Sequence, residues 1–76
     1  MIEPKPGERY KHFKGGEYEI VCVARDCENP EKKVVVYKML YDKEDFAKGT
    51  IWIRNLEDFV GEKELNEEKI KRFVKI

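Results

Sequence analysis

Three side chains could do acid–base or soft-ligand chemistry in this chain: the single histidine, His12, and two cysteines, Cys22 and Cys27. His12 is the candidate base, because imidazole alone has an unperturbed pKa near neutrality. A general base needs an orienting partner and a nucleophile or bound water beside it. Only Glu19 offers itself as that partner, and only in one register of the surrounding hairpin. The alternative is a histidine at the edge of the core, hydrogen-bonded to a neighbour. With the C-x4-C spacing of the cysteines, His12 also invites a zinc reading, yet structural zinc takes four ligands in tighter pairs and only three soft candidates exist here. No catalytic residue, metal or cofactor is therefore assigned.

His12 is positioned by Tyr10 to Tyr18, YKHFKGGEY, where the Gly15-Gly16 pair marks a β-hairpin between strands at about 9–13 and 17–25. A two-residue Gly15-Gly16 loop sets His12 opposite Glu19. A three-residue Lys14-Gly15-Gly16 loop, with Gly16 in the left-handed position, sets His12 opposite Tyr18, Tyr10 opposite Ile20 and Lys11 opposite Glu19. The second is preferred, because it gathers Tyr10, His12, Tyr18, Ile20 and Cys22 on one face and makes an opposite-charge pair on the other.

Two further constellations could bind rather than react. Trp52 and Arg54 share one face of a strand and, with Tyr10, His12, Tyr18 and Tyr37, would line an aromatic groove of the kind that takes peptides. There the Arg supplies bidentate hydrogen bonds. The alternative is that these rings are the core of a domain too small to build one otherwise. The second constellation is basic. Residues 5–14 hold four cations against Glu8, a net of +3, and residues 69–76 hold four against none, a net of +4. If the first and last strands are neighbours, Lys11, Lys14, Lys71 and Arg72 merge into a patch for nucleic acid, with aromatics for stacking. Ordinary ion pairing with the acidic block at 56–68, six acids against Lys63, is the competing reading.

Sixteen basic and sixteen acidic residues cancel, so no global field draws the chain to nucleic acid or an anionic membrane, and binding must be local. No apolar run reaches the roughly 20 residues of a membrane span and the N-terminus lacks a signal-peptide core. A cytoplasmic location with reduced thiols is expected. At 76 residues the chain reads as one domain with a thin core and no large enclosed cavity.

The elements follow in order. Pro4, Pro6 and Gly7 make residues 1–8 an extended arm. After the hairpin and a polar turn at Asn29-Pro30, Val34 to Tyr41 is the strongest strand, with Val35, Tyr37, Met39 and Tyr41 facing the core. Phe46, in a charged loop, either folds back over a barrel mouth or stays exposed. Thr50 to Asn55 is a strand with both sides partly buried. Leu56, Phe59 and Val60 at i, i+3 and i+4 predict one helical turn. The tail reads as a strand at 63–65, a turn at 66–68 and a closing strand at 70–74, with a terminal helix from Asn66 as the competitor. Five or six short strands and one helical turn imply a mainly β fold, a small SH3-like antiparallel barrel, because closure removes exposed edges.

G-x-x-Y-x-H-F-K-G-x-x-Y over Gly7 to Tyr18, with Ala24, Val35-Val36-Tyr37, Leu40-Tyr41, Trp52-Ile53-Arg54 and Phe59, resembles a family of short bacterial proteins known only as a domain of unknown function. The resemblance spans about residues 7–60. Cys27 stands where that family has Ser, Asn55 replaces Pro, and the loop between Tyr41 and Trp52 is longer. The resemblance implies a compact β-domain and brings no reaction, cofactor or ligand. The functional expectation is a non-enzymatic module that binds a peptide, protein or nucleic acid through the aromatic groove. Binding of nucleic acid through the basic patch is the alternative, and a small enzyme centred on His12 is the third.

Overall fold

Among the described residues, apolar alternation and turn residues build seven short strands and one helix. The computed structural model describes residues 3–76. These form β1 (Arg9–His12), β2 (Glu17–Arg25), β3 (Lys33–Met39), β4 (Ile51–Asn55), α1 (Leu56–Val60), β5 (Glu62–Leu65), β6 (Glu68–Lys71) and β7 (Phe73–Lys75). The start of the expected arm, Met1 and Ile2, lies outside the described residues. The rest of the arm is tied down: Pro4 is buried, and the Gly7 amide donates to the Ile20 carbonyl at 2.9 Å.

Five strands make one antiparallel sheet in the order β4-β3-β2-β1-β7, and β5 pairs only with β6. The first and last strands are neighbours as expected, with His12 opposite Phe73 and Tyr10 opposite Lys75. The expected SH3-like closure is absent, because β4 and β7 remain as unpaired edges of the sheet. The reason lies in the tail. Asn66 and Glu67, both at positive φ, turn β5 straight back on β6, so this hairpin leaves the sheet instead of bridging its edges. It also replaces the competing terminal helix. The closing strand expected at 70–74 is broken at Arg72 into β6 and β7.

Without closure, the concave face of the sheet is filled by α1 and by rings. Val35, Tyr37 and Met39 are buried from β3 as the alternation predicts, joined by Ile20, Leu56, Phe59 and Phe73. Phe59 from α1 and Phe73 from β7 stack in parallel, with ring centroids 4.0 Å apart. Tyr10 and Tyr37 meet Phe59 edge-on at 5.3 and 5.4 Å.

Three local expectations are corrected. The β1–β2 register pairs Tyr10 with Tyr18 and Lys11 with Glu17, so the loop is Phe13-Lys14-Gly15 and neither proposed register holds. Gly15, at φ 107°, takes the special turn conformation, not Gly16. The shift from the preferred register is two residues, which leaves Tyr10, His12, Tyr18 and Ile20 on one face. Cys22 does not join them, because a bulge between Ile20 and Cys22 re-phases β2. Finally, β4 is not buried on both sides: Trp52 and Arg54 are half-buried on the concave side, whereas Ile53 is 69% exposed on the other.

Candidate functional site

The concave face holds an open cleft of about 890 Å³, walled by the β1–β2 turn and by the loop after β3. Its floor is phenolic. Tyr18 and Tyr41 share a hydrogen bond at 2.7 Å between their hydroxyls, and the Arg54 Nε donates to the Tyr37 hydroxyl at 3.4 Å. Burial, followed by the bond to Tyr41, raises the Tyr18 phenol well above its ordinary pKa, so Tyr18 is neutral at physiological pH. A smaller recess of about 200 Å³ continues the cleft to Trp52 and Phe46, sharing Tyr18, Tyr37, Tyr41, Lys43 and Arg54.

Both glycines of the turn serve this geometry. Gly15 supplies the positive φ, and Gly16 lets Tyr41 approach, since a Cβ there would stand 2.6 Å from the ring's Cε1. The facing wall is built by local hydrogen bonds. Lys43 and Phe46 exchange backbone bonds at 2.8 Å, and the Lys48 amide donates to the Asp42 carboxylate. That fold brings Lys43 and Lys48 to the cleft, and it sets Phe46 edge-on against Trp52 at 4.8 Å, where Phe46 stays exposed and covers no barrel mouth.

The charge around the cleft is one-sided. Lys14, Lys43, Lys48 and Arg54 line it, and among the described residues none has a carboxylate within salt-bridge distance. Arg9, at the rim, is spent on Glu19 at 3.6 Å, and Glu17 is the only acid in the lining. His12 reports this field. Its pKa is lowered first by burial and then by Arg54, Lys14, Arg72 and Lys63. Its Nδ1 accepts the Lys14 amide at 3.1 Å, which leaves the proton of the neutral ring on Nε2. The flanking groups are the rings of Phe13 and Phe73, at 4.4 and 4.9 Å, not a carboxylate. The Glu19 partner considered from the sequence is engaged with Arg9 and Lys38 instead.

Of the groove residues named from the sequence, His12, Tyr37 and Arg54 meet in the cleft, and Trp52 borders the adjoining recess. Tyr10 does not reach it. The Phe59–Phe73 stack lies between, and Tyr10 lines a separate hollow with Glu8 and Lys75. The alternative basic patch also divides. Lys14 lines the cleft and Arg72 acts on His12. Lys11 faces the opposite side of β1, and Lys71 lies at the Tyr10 hollow. Tyr41, Lys43 and Lys48 were not identified from the sequence, because only the folded loop brings them to the cleft. Among the described residues no group of three or more metal-ligating side chains converges, and no helix is long and apolar enough to cross a membrane.

No curated protein and no solved structure matches the chain. A family model does match, over residues 8–75, a span from the end of the arm through β7 that includes every cleft residue named above and extends past the resemblance at 7–60. The chain therefore belongs to the family described as "Protein of unknown function (DUF1653)".

Proposed function

We propose that this domain is a non-enzymatic binding module and that its cleft takes an anionic ligand. One observation carries the reading: Lys14, Lys43, Lys48 and Arg54 converge on a phenol-lined cleft with no carboxylate partner among the described residues, in a chain whose charges balance overall. Half-buried Arg54 makes one long hydrogen bond and lies 5.7 Å from the Phe73 ring, leaving most of its five donors for a ligand. The three lysines stand in solvent, where they raise the local anion concentration and speed encounter. Binding, not turnover, fits the surroundings of His12, whose Nδ1 is occupied by a backbone amide. A cytoplasmic location accords with the two free thiols, Cys22 and Cys27.

Trp52 is a built-in reporter, because it borders the recess that shares Arg54 and Lys43 with the cleft. Titration with inorganic polyphosphate and with a poly-glutamate peptide at low salt should change its emission saturably for at least one of them. Arg54→Ala should weaken that response about tenfold, the loss of one charge-assisted pair. If no anion perturbs Trp52 or any cleft resonance in an NMR titration, this function is wrong.

A further inference from the structure

The chemistry of the cleft narrows the class of anion. We infer that it binds single-stranded nucleic acid, with the phosphodiester backbone on Lys14, Lys43 and Lys48 and unstacked bases on the flanking rings. This deepens the anionic-ligand reading and rests on it.

Three features point to a strand. First, cations occur on both walls, Lys14 on the β1–β2 turn and Lys43 and Lys48 on the facing loop, as a backbone running through a trough requires. A compact anion would be served by one cluster. Second, rings stand beside cations at both ends. Lys14 and Lys63 lie 5.8 and 5.3 Å from the Phe13 ring, and at the other end Lys43 shares the recess with Phe46 and Trp52. Phe46 is 43% exposed, so a face is open to a base. Pairing a charged groove with stacking surfaces is how proteins hold single strands. Third, the cleft offers hydrogen-bonding groups below the rim: the Tyr18, Tyr37 and Tyr41 hydroxyls, the Arg54 guanidinium and the His12 imidazole. These match base edges and sugar hydroxyls, which a single strand exposes and a duplex keeps within its grooves. An acidic peptide would use the lysines but has no flat rings for Phe13 or Phe46.

The test is fluorescence anisotropy with end-labelled oligouridine and oligothymidine, a duplex of the same length, and competition by inorganic polyphosphate and poly-glutamate. The single strands should bind at 50 mM salt and the duplex at least tenfold more weakly. Three phosphate contacts give a slope of log K against log salt near about −2, at roughly −0.7 per contact. Lys43→Glu with Lys48→Glu, both in a surface loop, should cost at least tenfold. Lys32→Glu, the same charge change at a separate recess beside Asn55 and Glu57, should stay within about twofold. Circular dichroism confirms that each variant folds.

If polyphosphate or poly-glutamate binds and the oligonucleotides do not, the nucleic-acid inference falls while the anionic cleft stands. If nothing binds, both fall. Duplex binding as tight as the single strand overturns the inference, as does a Lys32→Glu loss equal to that of the double variant.

Discussion

At the scale of single residues, His12 is the instructive case. Its ring is held neutral by burial and by four surrounding cations, Arg54, Lys14, Arg72 and Lys63. Protonation would also turn Nδ1 from acceptor to donor and break the bond from the Lys14 amide. The folded-state pKa thus lies below the ordinary 6.5. Above that value both states are neutral and stability is intact. As pH falls through 6.5 the unfolded chain takes up the proton first, so stability declines until the folded-state pKa is passed. Urea midpoints measured between pH 7.5 and 5.5 should fall for the native chain and stay flat for His12→Asn, and equal slopes would reject this account. The window ends above the Glu8 pKa, which Lys75 chiefly holds under 4.5. Imidazole chemistry made His12 conspicuous in the sequence. What it does depends on neighbours from β4, β5 and the Arg72 joint, which no local spacing records.

At the scale of elements, the β1–β2 turn decides the shape of the cleft. Gly-Gly announced the hairpin correctly, but either glycine could take the special conformation, and the backbone chose Gly15 at φ 107°. Gly15→Ala should cost about 1–3 kcal/mol in chemical denaturation, the strain of an L-residue held there. Gly16→Ala should cost less, because the clash is with the far end of the flexible Tyr41 side chain. It should, however, push Tyr41 off Tyr18 and break a bond of 2.7 Å. A spectrophotometric titration would then show one tyrosine ionising earlier than in the native chain, and an unchanged profile would refute the close-approach role. The bulge in β2 is the element that pattern reading could not see. Tyr18, Ile20 and Cys22 alternate faultlessly in sequence, yet an extra residue at Val21 returns Cys22 to the other face.

At the scale of the whole molecule, the fold stands on a small aromatic cluster. Phe73 touches Phe59, Tyr18, Tyr37 and His12 and joins the last strand to the helix. A chain of 76 residues has a total stability of about 4–11 kcal/mol at roughly 0.05–0.15 per residue. Phe73→Ala should remove about 3–5 kcal/mol of that. The guanidinium midpoint should therefore fall by at least about a quarter, and a near-native midpoint would mean that β7 is not integral to the fold. The same cluster parts Tyr10 from the cleft, so the groove residues named from the sequence divide between two hollows on either side of Phe59 and Phe73.

The strands from β1 to β4, the helical turn at Leu56–Val60, the buried face of β3 and the Trp52–Arg54 pairing on one face were all legible in the sequence. Each depends on side-chain periods of two or 3.6, which neighbouring residues determine locally. Closure, register and the cleft were not. Whether the sheet closes depends on where the β5–β6 hairpin goes, and the register depends on which glycine turns. The cleft cations meet only because the loop bearing Lys43 and Lys48 folds opposite the turn bearing Lys14. Electrostatic fields sum over space, not over sequence, so a chain with zero net charge conceals a basic cleft until its tertiary structure sorts the charges.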